Sequence, residues 1–213
     1  MSIRRALLIG LVALPLLAAR EAPFAPTPHG APTPAPMPTP APMPAPHHEA
    51  PPPKGPDGTG LLLQRLRAAQ SPRQAEPVAL RLRETWLKEL PASALVILGQ
   101  AQRAFEAGYV TLATRMMNLA VARWPAHADV WLRRAMLRLR KGEHEAALAD
   151  VAQALKRNPA HFTAWALKAR LLHETGRNQE ALKACARALK LHPQWREVRK
   201  NCHAIRMQTE QNI

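Results

Sequence analysis

The chain has 213 residues, and 47% of them are hydrophobic, which can supply the core of one domain. The net charge of +15 points to an acidic partner or surface, and two cysteines are too few for a disulfide-built scaffold. Most of the 22 prolines precede residue 60. This leaves roughly 150 residues to fold, enough for one domain.

The first segment, residues 1–22, has the pattern of an export signal. Arg4 and Arg5 give it a basic start, and a Leu/Ala-rich run follows at residues 6–19. About 14 apolar residues match the core of a signal peptide and are short for a membrane span. Residues 17–19 offer the best cleavage site, although the leucine there is larger than usual. We expect either export to the periplasm after cleavage, or an uncleaved inner-membrane anchor that faces the periplasm.

The second segment, residues 23–60, is a Pro/Ala-rich stretch that repeats Ala-Pro-Thr-Pro and Ala-Pro-Met-Pro. Proline removes amide donors and fixes φ, so both helix and sheet are excluded. We expect a disordered spacer of polyproline II character. At about 3.1 Å per residue it would reach on the order of 100 Å, far enough to hold a domain away from a membrane.

The remaining chain repeats itself every 34 residues. Five columns keep one residue type in three consecutive copies: Ala101, Ala135 and Ala169; Gly108, Gly142 and Gly176; Ala113, Ala147 and Ala181; Ala120, Ala154 and Ala188; Pro125, Pro159 and Pro193. The alanines allow two helices to approach closely, the glycine ends the first helix, and the proline stops the second. Trp131 and Trp165 form a further column that fills the gap between helices. The pattern predicts three helix-turn-helix units.

This order of Trp, small residue, Gly, Ala, Ala and Pro resembles the tetratricopeptide repeat family. It fits at Trp165, Ala169, Gly176, Ala181, Ala188 and Pro193. The resemblance implies an all-α fold, a right-handed α-solenoid of paired antiparallel helices. The three repeats would occupy residues 94–127, 128–161 and 162–195. A signal sequence and a Pro/Ala linker before a short repeat block also resemble exported repeat proteins of proteobacteria.

Two flanking elements complete the predicted solenoid. Residues 61–93 contain helical stretches at 61–70 and 76–90, but Arg67 and Trp86 stand where small residues are expected. We interpret this segment as a degenerate repeat or an N-terminal cap. Residues 196–213 are predicted to form a C-terminal capping helix and tail, because the open end of a solenoid needs a cover.

The resemblance also implies a concave groove lined by the first helix of each pair. The corresponding positions are Leu98, Gln102 and Phe105, then Leu132, Met136 and Leu139, then Ala166, Arg170 and His173, with Arg140 added. A largely apolar groove with a few cations suits an amphipathic helix or an extended peptide. Self-occlusion by the N-terminal helices or the linker is the alternative. The Lys/Asn carboxylate clamp of some family members is absent.

The leading functional hypothesis is a protein-interaction scaffold or assembly adaptor in the bacterial cell envelope. The rival is a basic module that binds anionic lipid or cell-wall polymer. Residues 61–213 hold 26 Lys/Arg against 12 Asp/Glu, and five of these cations cluster on one helix: Arg133, Arg134, Arg138, Arg140 and Lys141. Such a cluster suits phosphate or carboxylate groups, or is a solvated face. For an exported protein we expect no nucleic acid partner.

The sequence offers no motif for chemistry. It has no phosphate loop, metal-ligand spacing or nucleophile motif, and no carboxylate pair suits acid/base work. We expect no enzyme activity, no metal, no cofactor and no small-molecule substrate.

The two cysteines lead to one sharper hypothesis. Cys185 falls on the inward stripe of the last repeat, and Cys202 falls where the capping helix would pack against that stripe. In an oxidising compartment they would form a disulfide that pins the cap. The alternative is two buried free thiols that fill core volume.

Overall fold

The computed structural model describes residues 58–211, and every regular element in this range is a helix. The predicted export signal, nearly all of the predicted linker and residues 212–213 lie outside the described residues. The helices run in the order α1 Thr59–Ala68, α2 Pro72–Lys88, α3 Ala92–Glu106, α4 Val110–Arg123, α5 Ala128–Arg140, α6 His144–Arg157, α7 Phe162–Glu174, α8 Asn178–Leu191 and α9 Arg196–Gln211. The predicted all-α class is confirmed. None of these helices combines the length and apolar character that a membrane crossing demands.

Helices α3 to α8 form three pairs that stack in chain order, each pair against the next. The repeated alanines lie where the helices meet, and Ala101, Ala113 and Ala120 of the first pair have no exposed surface. A larger side chain at these positions would push the helix axes apart. Gly108 and Gly142 follow the first helix of their pairs with φ of 84° and 76°, a conformation that disfavours any residue with a Cβ.

The tryptophan column ties each repeat to the proline that ends the preceding one. The Trp131 Nε1–H donates to the carbonyl oxygen of Pro125 at 2.8 Å, and Trp165 makes the equivalent bond at 2.9 Å. Arg199 occupies the same column at the start of α9 and donates to the carbonyl of Pro193. The column therefore fixes the spacing of consecutive first helices by hydrogen bonds as well as by packing.

The N-terminal pair, α1 and α2, does not stack ahead of α3 as a preceding repeat would. Helix α1 contacts α8 instead, and Trp86 of α2 packs against Phe162 at the start of α7. The Gln194 side-chain amide also donates to the carbonyl of Ala69 at 3.2 Å. The bulk of Trp86 explains this difference from a stacked repeat, since the stacked geometry needs a small residue there. The pair thus crosses from the first repeat to the third.

The start of α2 also differs from the prediction. The helix begins at Pro72, four residues before the predicted position, because Ser71 and Pro72 form a strong start signal. The Ser71 hydroxyl oxygen accepts the backbone N–H of Gln74 at 3.4 Å, and proline at the first helical position needs no amide donor.

The C-terminal helix α9 covers the open face of the third repeat. Val198 and Ile205 are buried against it, and Cys202 is bonded to Cys185 of α8 with a Cα–Cα distance of 5.9 Å. This is the pair that the repeat pattern indicated. The bond joins the cap covalently to the last pair of helices.

Reducing this disulfide is expected to lower the free energy of unfolding by about 3 kcal/mol, because it closes a short loop in the unfolded chain. The sequence separation of 17 residues sets the loop length. Urea unfolding with and without a phosphine reductant measures the change. A Cys185→Ala/Cys202→Ala variant is the control, because reductant should no longer move its midpoint. An equal midpoint for oxidised and reduced wild type would contradict the expectation.

Candidate binding groove

The first helices of the three pairs, α3, α5 and α7, border a common cavity of about 410 Å³. Its lining combines apolar side chains at the floor with cations at the rim: Gln102, Arg133, Met136, Leu137, Leu139, Arg140, Leu167 and Arg170. The volume is in the range of sites that accept small ligands or several side chains of a bound segment.

Half of the predicted groove residues line this cavity: Gln102, Met136, Leu139, Arg140 and Arg170. Leu98 and Leu132 do not, because their side chains are only 1% and 4% exposed and belong to the helix-packing cores. An apolar residue fits a core position as well as a groove position, so the predicted groove role of these two leucines stays a prediction.

Three further predicted positions lie beside the cavity rather than in it. The Phe105 ring lies beneath the guanidinium of Arg140, with 4.8 Å from the carbon of that group to the ring centre. Ala166 packs against the core of the second and third repeats. His173 Nδ1 lies 2.8 Å from the side-chain oxygen of Asn178 and so helps to close the turn between α7 and α8.

Sequence reasoning missed Arg133, Leu137 and Leu167, which also line the cavity. On α5, positions 133, 136, 137 and 140 follow the three- and four-residue spacing of one helix face. Of the predicted stripe at 132, 136 and 139, Met136 and Leu139 line the cavity and Leu132 faces the core. Ala135 is fully buried, so the residues on the opposite side of α5 face away from the core that contains it. Choosing that side of the helix would have identified Arg133 and Leu137 as lining residues.

The basic cluster predicted on α5 divides into two sets with different roles. The Arg134 guanidinium donates to both carboxylate oxygens of Asp150 at 2.9 and 2.7 Å, and Arg138 approaches the same carboxylate at 2.9 Å. Lys141 pairs with Glu143 at 2.6 Å. Asp150 is 2% exposed, so these contacts hold α5 to α6 and leave Arg134 and Arg138 little capacity for an outside anion.

Two arginines of the α5 cluster, together with Arg170 of α7, remain open to a ligand. Arg133 makes no hydrogen bond or ion pair within residues 58–211, and Arg140 is exposed above the Phe105 ring. Arg170 pairs with Glu174 at 2.7 Å, but its side chain is 65% exposed. An exposed pair of this kind contributes little and exchanges readily with another carboxylate. The groove therefore presents three guanidinium groups around an apolar floor.

A second cluster lies away from the groove, where α2 meets the third repeat. His161 stacks on Trp86 with ring centres 4.5 Å apart, and His192 stacks on Trp195 at 5.4 Å. The Phe162 ring lies perpendicular to both His192 and Trp195, with 5.5 Å between the ring centres in each pair. This aromatic cluster holds the N-terminal pair against the repeats.

The histidines of the aromatic cluster are held in a dry environment. Burial lowers the pKa of His192 below its ordinary value, which the nearby Glu76 carboxylate partly offsets and Arg83 reinforces. Within the described residues, three buried side-chain atoms lack a hydrogen-bond partner, and all belong here: His161 Nε2, Thr163 Oγ1 and His192 Nδ1. The same range brings together no group of three side chains suited to a metal ion.

Comparison with known proteins assigns the class of this fold. Residues 98–154 and 132–194 match the family model of the tetratricopeptide repeat. The chain therefore contains a tetratricopeptide repeat domain, and the predicted all-α solenoid of such repeats is confirmed. No curated protein sequence matches the chain.

Solved structures share the fold at low sequence identity. The first repeat domain of Spaghetti (RPAP3), bound to the HSP90 peptide SRMEEVD, is 20% identical with a TM-score of 0.52, covering 55% of this chain and 95% of its own. The Sgt2 domain from Aspergillus fumigatus is 15% identical with a TM-score of 0.54, covering 57% and 82%. The type III secretion chaperone SycD of Yersinia enterocolitica, with a peptide of the translocator YopD, is 14% identical with a TM-score of 0.51, covering 56% and 97%.

Proposed function

We propose that this protein is an interaction scaffold that binds a segment of a partner protein in the concave groove. The observation that carries the proposal is the cavity between α3, α5 and α7, with its apolar floor and cationic rim. Solved structures of the same fold support it, because an HSP90 peptide is bound to one and a YopD peptide to another.

The chemistry of the groove specifies the kind of segment. Met136, Leu139 and Leu167 offer apolar contact, while Arg133, Arg140 and Arg170 offer guanidinium groups that bind carboxylates in pairs of hydrogen bonds. An amphipathic helix or an extended peptide with apolar and acidic side chains satisfies both. The partner segment is therefore acidic as well as apolar.

The proposed setting is the bacterial cell envelope, in the role of an assembly adaptor. The basic, Leu/Ala-rich residues 1–22 support export, with the anchored form as the alternative. The pairing of Cys185 with Cys202 fits this setting, because structural disulfides persist in oxidising compartments.

Binding to anionic lipid or cell-wall polymer through the basic surface is the rival function. It is less well supported, because Arg134 and Arg138 are bonded to Asp150 and Lys141 to Glu143. Salt separates the two proposals, since purely charge-driven binding weakens steeply with ionic strength whereas apolar groove contacts persist.

Replacing Met136 with glutamate is expected to abolish partner recovery, because it removes an apolar contact and places a negative charge where an acidic segment would bind. Met136 is 48% exposed, so the fold should survive. The measurement is mass-spectrometric quantitation of proteins crosslinked to the chain in intact cells. Met207→Glu is the matched control, because Met207 is 42% exposed on α9, outside the groove. If both variants recover the same proteins as wild type, the groove does not bind them.

A further inference from the structure

The repeat architecture provides an internal comparison for every surface position, and one face of the first repeat stands out. Val130 and Ala164 occupy the third residue of α5 and α7 and are fully buried against the preceding pair of helices. Val96 is the equivalent residue of α3, yet it is 54% exposed. The first repeat thus keeps an apolar residue where a stacked neighbour belongs, while α1 and α2 lie against the third repeat instead.

Helix α4 of the same repeat also exposes apolar side chains. Leu112, Met116 and Leu119 recur at four- and three-residue spacing on one side of the helix, and Met116 between the two leucines is partly buried against the core of the first repeat. Leu112 and Leu119 are 49% and 53% exposed, and Tyr109, just before the helix, is 66% exposed. We call Val96, Tyr109, Leu112, Met116 and Leu119 the open-end face.

The other repeats carry polar residues at most of these α4 positions. The column of Leu119 continues with Gln153 and Arg187, and the column of Tyr109 continues with Glu143 and Arg177. The general frame of the repeat therefore does not require large apolar side chains here. The first repeat has them at all three stripe positions of α4 and at Tyr109, which is the composition of an interface.

The opposite end of the solenoid cannot receive this face. Helix α9 covers it and exposes mainly charged residues, among them Arg196, Glu197, Lys200 and Arg206. Head-to-tail association would place the apolar open-end face on this charged surface. Among the surfaces of residues 58–211, the open-end face itself is an apolar match, and pairing of two such faces closes as a two-fold dimer.

The face is also complementary to itself. When two copies of α4 pack antiparallel about Met116, Leu112 lies opposite Leu119 of the partner subunit, and Tyr109 lies opposite Arg123 of the partner subunit. In the second repeat the equivalent arginine, Arg157, has its guanidinium 4.6 Å from the ring centre of Trp131.

Arg123 lacks such an aromatic partner among residues 58–211. The column of Trp131 holds Ile97 in the first repeat, and Arg123 makes no hydrogen bond, ion pair or ring contact within residues 58–211. The Tyr109 ring of a second copy supplies the missing surface, since guanidinium groups bind aromatic faces.

We propose that this protein forms a two-fold homodimer through the open-end face, with antiparallel α4 helices in contact. The charge of +15 on each copy opposes this contact, so salt strengthens the dimer by screening. Groove binding of an acidic segment has the opposite salt response. The dimer does not depend on the groove. The two proposals can therefore be refuted independently, because the molecular mass in solution tests the dimer and the recovery of crosslinked partners tests the groove.

Analytical ultracentrifugation of the full chain tests the proposal. We expect concentration-dependent dimer for wild type, with more dimer at high salt. Leu119→Glu should raise the dimer dissociation constant at least tenfold, because two-fold symmetry places each substitution in the interface twice. Leu80→Glu is the matched control, because Leu80 is 51% exposed on α2, outside the face, and should dimerise like wild type.

A crosslink tests the geometry directly. Met116→Cys places a thiol beside its symmetry mate on the two-fold axis and should give a covalent dimer under mild oxidation. Met207→Cys on α9 should not. The native cysteines do not interfere, because they are bonded to each other and buried. A chain that stays monomeric at its solubility limit, or a dimer that Leu119→Glu leaves intact, would overturn the proposal.

Discussion

Replacing Trp86 with alanine should detach α1 and α2 from the repeats while α3 to α9 stay folded. Trp86 is 4% exposed and contacts His161 and Phe162, so the change leaves a large cavity in the aromatic cluster. Truncating a buried aromatic residue to alanine costs about 3–5 kcal/mol. We expect this cost to appear as weaker docking of the N-terminal pair, because Trp86 belongs to the core cluster that α1 and α2 share with Phe162 and Leu191 of the third repeat.

Hydrogen exchange of the backbone amides measures this effect by region. Amides of α1 and α2 should lose protection, and those of α5 and α6 should keep it. Leu80→Ala on the same helix is the control, because Leu80 is 51% exposed and should change protection little. Uniform loss of protection across all helices would show that the pair is part of one cooperative core instead.

Replacing Asp150 with alanine is expected to destabilise the second repeat by about 3 kcal/mol, since it leaves two partly buried guanidinium groups without their carboxylate. The side chains of Arg134 and Arg138 are 15% and 24% exposed, against 2% for Asp150. Water therefore reaches the arginines only in part. Urea unfolding monitored by circular dichroism gives the free-energy difference.

Glu180→Ala is the control for the Asp150 variant. It removes an ion pair of similar geometry, Arg177 Nε to Glu180 Oε1 at 2.8 Å, but both side chains lie at the surface. An exposed pair contributes little, so the unfolding midpoint should not move. If the two variants behave alike, the contact between α5 and α6 does not depend on the buried carboxylate.

The repeats were predictable because their signals are local. The alanine, glycine and proline columns each act on the nearest turn or helix contact, and three copies reinforce one another. Cys185 was placed on the inward stripe for the same reason, since Val151 fills its column one repeat earlier. The repeat column places Cys185 on the buried side of α8. The capping helix packs against that side and carries Cys202, which is bonded to Cys185.

Other features depended on contacts that periodicity does not encode. The docking of Trp86 on Phe162 joins distant parts of the chain, and neither residue has an aromatic equivalent in other repeats. Leu132 is apolar and suits either the core or the groove, so composition alone did not separate the two. The pairing of Arg134 with Asp150 depends on the relative rotation of two helices, which the sequence does not state.

Because α1 and α2 cross from the first repeat to the third, this solenoid differs from a simple one in how freely its number of repeats can change. A simple solenoid behaves as a linear array in which units touch only their neighbours, so evolution adds or deletes units freely. Here the contact between Gln194 and Ala69 and the Trp86 cluster close a circuit around three units. Inserting a fourth unit would carry Phe162 out of reach of Trp86. The docking of the N-terminal pair therefore depends on a length of three units.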